Sequence, residues 1–146
     1  MGSTQIEDKN FGTLTFNDGW GWCSTNFLWD DAQYISICID PINVENGVIS
    51  KAVWEHLKLL RINQTRITRA ALEQLDCFEL INEWLSDDNG GVVIDVDNFL
   101  HYISLEWAML NSTGESELQY ITGGPLLRIF VSPELVVSDV FFDGLM

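Results

Sequence analysis

Residues 50–85 constrain the fold most, because this stretch is the longest in the chain with a helical pattern of apolar residues. In its second half, an apolar residue recurs every three or four positions, which places these side chains along one stripe of a helix. The stripe comprises Ile67, Ala71, Leu75, Phe78, Ile81 and Leu85, and Leu72 and Trp84 widen it. A stripe this wide predicts packing against a sheet rather than against one neighbouring helix.

The first half of the stretch has the same rhythm, with Val53, Trp54, Leu57 and Leu60. Ser50 suits the N-cap, because its hydroxyl can accept a hydrogen bond from a backbone N–H of the first turn. Residues 62–65, between the two halves, show no periodicity. The sequence therefore predicts two helices joined by a short turn.

Five of the seven basic residues fall within this helical stretch, and they are Lys51, Lys58, Arg61, Arg66 and Arg69. Arg66 and Arg69 lie at the predicted start of the second helix, where a positive charge opposes the helix dipole. Other groups must therefore hold these charges in place. Two interpretations stay open: the arginines pair with acidic neighbours in the fold, or Arg61, Arg66 and Arg69 form a site for an anion or an acidic partner.

Length and charge limit the classes of function. A chain of 146 residues fits one domain, here residues 1–146 with a flexible start at 1–10, and it can bury a sufficient core without disulfides or metal. Its formal net charge of −15 argues against binding to nucleic acid or to an anionic membrane, and favours a basic protein partner. The sequence shows neither a secretion signal nor an apolar run long enough to span a membrane, so we expect a cytoplasmic protein.

The chain contains three cysteines, Cys23, Cys38 and Cys77. Their number is odd, their spacing follows no known pattern, and each lies in an apolar run where a small buried thiol packs well. The sequence therefore predicts unpaired core cysteines in a reducing compartment.

Strand patterns occupy both ends of the chain. The N-terminal strands are predicted at 12–16, 20–29 and 34–40, with a hairpin turn at residues 17–19, and the C-terminal strands at 104–110, 117–122, 126–131 and 135–141. Turn-forming residues separate the C-terminal strands at spacings that suit hairpins. The predicted fold class is α+β, in which an antiparallel sheet from N-terminal and C-terminal meanders carries a central helical hairpin.

Three tryptophans of the first hairpin suggest a binding surface. Strand alternation predicts that Trp20 and Trp22 share the face that packs on the helices, whereas Trp29 points away. An exposed Trp beside carboxylates is a natural anchor for a protein partner. Trp29, Asp30 and Asp31 are therefore the predicted partner-binding residues.

The sequence contains no motif that indicates catalysis. It has no phosphate-binding loop, nucleophile elbow, H-E-x-x-H or C-x-x-C pattern. His56 is interpreted as structural, and His101 with Asp97 supplies only two of the ligands that a metal site needs. The acidic run at residues 86–97 fails the EF-hand spacing. We therefore predict no catalytic residue, no metal and no cofactor.

The first hairpin resembles that of a known group of proteins. Phe11-Gly12-Thr13-Leu14, followed by Asp18-Gly19-Trp20, is similar to the FG-x-L…GW opening of small acidic bacterial proteins of unknown function, some of them suspected toxin-immunity proteins. The resemblance implies a third strand, a helical middle, closing strands and a toxin-neutralising role. Members often carry an acidic, histidine-bearing segment where this chain has residues 123–125 as Gly-Gly-Pro, so no catalytic residue is carried over.

Two functions stay open at this point. The favoured one is a non-enzymatic protein-binding module, most concretely an immunity protein that neutralises a basic toxin domain through acidic surface around aromatic anchors. The alternative is a domain that binds a small ligand or a metal, with or without catalysis, in a cleft between sheet and helices. A homodimer is compatible with either function, because exposed strand edges and surplus aromatic side chains pair readily.

Overall fold

An eight-stranded sheet is the frame of the structure, a computed structural model that describes residues 4–29, 33–74, 99–100, 103–111, 114–122 and 126–143. Its strands are β1 (Gln5–Asp8), β2 (Gly12–Asn17), β3 (Gly21–Leu28), β4 (Tyr34–Ile39), β7 (Ser104–Leu110), β8 (Ser116–Ile121), β9 (Leu126–Val131) and β10 (Val137–Asp143). Between β4 and β7 the chain forms a 3-10 turn (Pro41–Asn43), a small ribbon of β5 (Val44–Glu45) and β6 (Val48–Ile49), and helix α1 (Lys51–Gln74).

The sheet joins two antiparallel meanders side by side. Its strand order is β1-β2-β3-β4-β7-β8-β9-β10, and among these described strands only β4 and β7 pair in parallel. Parallel neighbours cannot be joined by a tight hairpin, so the chain must cross one face of the sheet between them. Helix α1 belongs to that crossover and lies on the sheet. The predicted α+β fold built from two meanders is confirmed.

The predicted helical hairpin is wrong, because α1 runs without a break through residues 62–65. Gln64 explains the missing periodicity, since it follows Leu60 and precedes Ile67 on the buried stripe. Its side-chain oxygen accepts a hydrogen bond from the Trp29 indole, and its amide nitrogen donates to the Tyr120 hydroxyl at 3.1 Å. A polar residue therefore fills a core-facing position with its hydrogen bonds satisfied. The remainder of the predicted second helix, from residue 75 on, lies outside the described residues.

The core lies between α1 and the inner face of the sheet. Leu57, Leu60 and Ile67 of the helix have no exposed surface, and neither have the strand residues opposite, among them Leu14, Ile37, Ile39, Leu118 and Ile129. Burial of each such side chain contributes about 1.5–3 kcal/mol to folding. This apolar layer holds the helix on the inner face of the sheet. The opposite face, which points away from α1, is here called the outer face.

A strand lies within residues 1–10, for which the sequence predicts a flexible start. Gln5–Asp8 form β1, which pairs with β2 from Gln5 opposite Thr15 to Asp8 opposite Gly12, and residues 1–3 lie outside the described residues. The Asp8 carboxylate accepts hydrogen bonds from the backbone N–H groups of Asn10 and Phe11 at 2.8 and 3.0 Å, which closes the turn. Buried Ile6 anchors the strand to the core.

A disulfide joins Cys23 of β3 to Cys38 of β4, which corrects the expectation of unpaired cysteines. The two residues lie directly opposite each other in the antiparallel register, with Cα atoms 4.2 Å apart. Sequence spacing cannot show this proximity, because it arises from strand pairing. Cys77 lies outside the described residues.

Candidate functional site

The outer face presents two rows of side chains that cross the sheet at its centre. One row contains Cys38, Met109, Glu117 and Phe130, which are successive partners in the strand register. The next row contains Ser36, Trp107, Gln119, Arg128 and Phe141. Alternation along each strand turns these residues away from α1, since the residues between them are buried in the core.

An ion pair between Glu117 and Arg128 organises the middle of this face. Arg128 Nε donates to Glu117 Oε2 at 2.7 Å and Nη2 donates to Oε1 at 3.1 Å, while Gln119 Nε2 also donates to Oε2 at 2.7 Å. Glu117 is only 4% exposed, so its charge depends on these donors. The hydrogen bond to Glu117 raises the pKa of Arg128 above its ordinary value. The two residues therefore form a fixed polar centre.

Aromatic rings surround the Arg128 guanidinium. Its central carbon lies 5.4 Å from the ring centroid of Phe130 and 5.3 Å from that of Phe141, and the two rings stack on each other. Such contacts are favourable electrostatically and restrict the arginine side chain. The outer face thus combines apolar surface with charges held in one geometry.

Trp20 is the most exposed tryptophan of this face. It is 46% exposed, and its ring lies 5.2 Å from the ring of Trp107, centroid to centroid. The Trp107 indole N–H in turn contacts Cys38 Sγ at 3.3 Å. An exposed indole beside a second indole supplies the large, rigid contact area that protein interfaces use.

The placement of Trp20 contradicts the expectation that it packs on the helix with Trp22. Trp22 does pack against the core, but Gly21 between them has a φ of +95°, which breaks the alternation of a strand. A Cβ atom at this position would collide with the Ile39 carbonyl oxygen. Glycine therefore permits a close approach of backbone to backbone, and this approach turns Trp20 to the opposite face.

Trp29 is 1% exposed, so the expectation of an exposed anchor at this position is wrong. The register of β3 against β4 shifts between Ser24 and Phe27, and this bulge brings Phe27 and Trp29 onto the core side. The Trp29 indole then donates to Gln64. Asp30 and Asp31, the other two predicted partner-binding residues, lie outside the described residues.

The Trp20 cleft, named for one of its lining residues, adjoins the outer face through Cys38 and Met109. It has a volume of about 300 Å³ and is lined by Asp18, Trp20, Cys38, Asp40, Met109 and Asn111, among others. Asp40 Oδ1 accepts a hydrogen bond from the backbone N–H of Ile42 at 3.0 Å, and the Asp40 N–H donates to the Leu110 carbonyl at 2.9 Å. The loop that carries Asp40 is therefore anchored to β7.

The cleft that Arg61 lines does not include Arg66 or Arg69, the other two predicted anion-binding arginines, among its described lining residues. Arg61 Nε donates to the Trp29 carbonyl oxygen at 2.7 Å, whereas Arg66 reaches the Leu135 carbonyl oxygen at 3.5 Å. A cleft of about 390 Å³ is lined by Arg61 together with Lys58, Trp29 and Gln64. Arg61 thus lies beside Lys58 in this cleft, and Arg66 extends to the turn between β9 and β10.

His56 and Ser116 form a pair that resembles a base and a nucleophile. His56 Nε2 lies 3.2 Å from Ser116 Oγ, and burial lowers the pKa of His56 below its ordinary value of 6.5. Ser116 has no exposed surface, so a substrate cannot reach its hydroxyl in this structure. The pair therefore links α1 to β8, in agreement with the structural role expected for His56.

Among the described residues, no group of three or more His, Cys, Asp or Glu side chains is placed to hold a metal ion. His101 and Asp97, with the acidic residues at 87, 88 and 95, lie outside the described ranges. Within those ranges, no helix is long and apolar enough to cross a membrane. Comparison of the chain with protein-family models, with curated proteins and with solved structures finds no match.

The sequence analysis missed the main residues of the outer face: Trp20, Trp107 and Arg128. A usable signal was present in the predicted C-terminal strands, where Leu127, Ile129 and Val131 alternate with Arg128 and Phe130. Assigning Arg128 and Phe130 to the exposed side of this strand would have located one of the three missed residues, Arg128. The position of Trp20 had no such signal, because it depends on the backbone of Gly21.

Proposed function

We propose that this chain is a non-enzymatic protein-binding domain whose outer face binds a basic partner protein. The observation that carries the proposal is the exposed Trp20, which contacts Trp107 on a face rich in carboxylates. Aromatic side chains that are partly exposed in the free protein are frequent anchors in interfaces. The outer face offers such anchors on a sheet, whose backbone changes little on binding.

Charge is distributed unevenly between the two sides of the sheet. Five of the seven basic residues lie on α1, and Lys9 lies in the turn between β1 and β2. Among the described strands, the outer face carries one basic side chain, Arg128, and the carboxylates Glu7, Glu117, Asp139 and Asp143. A surface of this sign attracts a basic partner, accelerates its association and disfavours acidic competitors.

The most concrete form of this function is neutralisation of a basic toxin domain. The net charge of −15 and the resemblance of the first hairpin to suspected immunity proteins support it. Tight binding of a basic domain over its functional surface blocks that surface without any chemistry by the inhibitor.

The test is capture of partners from a lysate of the native host on immobilised protein, at low and at high salt, with identification by mass spectrometry. We expect one basic protein to be retained at low salt, and its purified form to bind the wild-type chain directly. Trp20→Ala should weaken this binding at least tenfold, the loss typical of an interface anchor. Ile62→Ala is the matched control, because Ile62 is a 79% exposed apolar residue on α1. Equal affinities of the two variants would contradict the proposal.

A second candidate, binding of a small anion, rests on the cleft lined by Lys58, Arg61, Trp29 and Gln64. The two cations, Lys58 and Arg61, suit a carboxylate or a phosphate group. Thermal shift with phosphate and citrate would test it: stabilisation that disappears in Arg61→Gln supports the site, and no stabilisation of the wild type rules out both anions as ligands.

A further inference from the structure

The Trp20 cleft combines three features that a long cationic side chain requires. Its lining includes the half-exposed Trp20, whose indole is the aromatic surface most favourable to a cation. It also includes Met109, an apolar partner for a chain of methylene groups. Asp18 and Asp40 bring carboxylates to the same lining.

The two carboxylates retain capacity to accept hydrogen bonds. Within the described part of the chain, Asp18 forms no hydrogen bond or ion pair, and Asp40 uses only Oδ1, for the Ile42 N–H. No described basic residue lines the cleft. The acidic pair alone would not define a site. Its position beside an exposed indole and a cavity of about 300 Å³ makes the cleft suitable for a cationic group.

The main walls of the cleft are held in place before any ligand arrives. Gly21 fixes the direction of Trp20 by its close approach to Ile39, and the ring rests against Trp107. Asp40 is tied to Leu110 through its backbone N–H and to the following 3-10 turn through its side chain. A site that is ordered in advance loses little conformational entropy on binding.

We infer that the Trp20 cleft receives one lysine or arginine side chain of the basic partner, with the cationic head group between Trp20 and the carboxylates of Asp18 and Asp40. This inference rests on the proposed function and adds the type of side chain that the partner inserts. The methylene stem lies along Met109. Salt weakens the contact, because its charged groups stay near the surface.

The experiment titrates the full chain with three blocked tetrapeptides, made of arginine, lysine or citrulline, and follows the indole N–H signals by NMR. Trp20→Phe assigns the Trp20 signal among those of the six tryptophans. We expect a saturable shift of this signal with the arginine or the lysine peptide and none with citrulline, which matches arginine in shape but carries no charge. Tighter binding of either cationic peptide supports the inference and identifies the preferred head group.

Variants separate the cleft from general attraction by an acidic surface. Trp20→Ala should weaken peptide binding about tenfold through loss of the cation–π contact. Asp18→Asn with Asp40→Asn should weaken it about three- to tenfold, while the control Asp139→Asn, elsewhere on the outer face, should change it less than about twofold. An equal effect of Asp139→Asn, or an equal shift with citrulline, would overturn the inference.

Failure of the inference about the cleft and failure of the proposed function would give different results. If a basic partner binds and depends on Trp20, but neither cationic peptide shifts the Trp20 signal, the outer face is an interface and the cleft does not hold a basic side chain. If the peptides bind at the cleft and no basic partner is captured, the cleft is supported and the proposed function loses its support.

Discussion

The indole rings of Trp20 and Trp107 lie 5.2 Å apart and bring residues of the two meanders together on the outer face of the sheet. Trp20 precedes β3, whereas Trp107 lies in β7. The parallel pairing of β4 with β7 sets the meanders side by side, so it also creates this contact. The candidate interface therefore depends on the crossover that α1 makes possible.

Trp29→Ala and Trp20→Ala should affect stability very differently. Trp29 is fully buried and donates to Gln64, so its removal should lower the free energy of unfolding by about 3–5 kcal/mol. Trp20 is half exposed, and its removal should cost less than about 1 kcal/mol. Urea unfolding followed by circular dichroism measures both. Equal losses of stability in the two variants would contradict the burial of Trp29 and the exposure of Trp20.

The disulfide predicts that a single thiol reacts in the unfolded, unreduced protein, although the chain has three cysteines. Thiol titration in denaturant gives this number directly. Cys23→Ser with Cys38→Ser should lose about 3 kcal/mol of stability, because the closed loop between residues 15 apart restricts the unfolded chain. Reductant should lower the stability of the wild type to that of the double variant. Reaction of three thiols without reductant would show that the bond does not form.

Gly21→Ala should destabilise the fold by more than about 3 kcal/mol, because a Cβ atom would meet the Ile39 carbonyl oxygen at a φ of +95°. Gly19 has a similar φ of +97° but open space around it, so Gly19→Ala should cost only about 1–2 kcal/mol. Thermal unfolding of both variants measures the difference. A Gly21→Ala protein as stable as Gly19→Ala would exclude the close approach that directs Trp20.

Arg128→Met should cost about 3–5 kcal/mol, because it leaves the buried Glu117 carboxylate without its main partner. Glu117→Leu combined with Arg128→Met should recover most of this loss, since neither charge then remains. Asp143→Asn is the control: its contact with Arg128 is 3.5 Å long and exposed, and its removal should cost less than about 1 kcal/mol. Denaturant unfolding measures all three, and an Arg128→Met variant no less stable than the control would contradict the assigned role of the pair.

The lowered pKa of His56 predicts that the protein loses stability in mild acid. Burial lowers its pKa in the folded protein below the ordinary value of 6.5, so the unfolded chain binds a proton more readily. Its contribution to stability is complete above pH 6.5 and is lost as the pH falls towards the folded pKa. For a single group, the free energy of unfolding changes by at most about 1.4 kcal/mol per pH unit, and partial exposure of the His56 ring makes this change smaller.

The measurement for His56 is the free energy of unfolding between neutral and mildly acidic pH, in the wild type and in His56→Gln. His101 and the carboxylates are present in both proteins, so the difference between the two curves isolates His56. Glutamine can keep a hydrogen bond to Ser116, which limits other losses of stability. Parallel curves would show that His56 has the same pKa in both states.

Local patterns predicted most of the strands. The turns at residues 17–19 and 132–134 separate apolar and β-branched runs, and the strands Ser104–Leu110 and Leu126–Val131 begin and end where the pattern places them. The helix was predicted with a false break, because the pattern counts Gln64 as polar and ignores its hydrogen bonds to Trp29 and Tyr120. Local composition therefore locates elements well and misjudges a polar residue that the core satisfies.

The candidate site could be predicted only in part. Net charge and the absence of catalytic motifs favour a binding protein. The exposed tryptophan, however, is Trp20, whereas the predicted anchor Trp29 is buried. A bulge in β3 and the positive φ of Gly21 each reverse the direction of a side chain. Neither feature can be read from alternation alone, because each depends on how β3 pairs with β4.

The sequence by itself determined the charge, the two meanders and the presence of helix between them, because these depend on composition and on the periodicity of neighbouring residues. Tertiary structure alone decided that Cys23 meets Cys38, that Glu117 meets Arg128, and that Trp20 meets Trp107. The physical reason is that such contacts depend on strand register and on a few backbone angles. A change of one residue in register exchanges the buried and exposed faces of a strand.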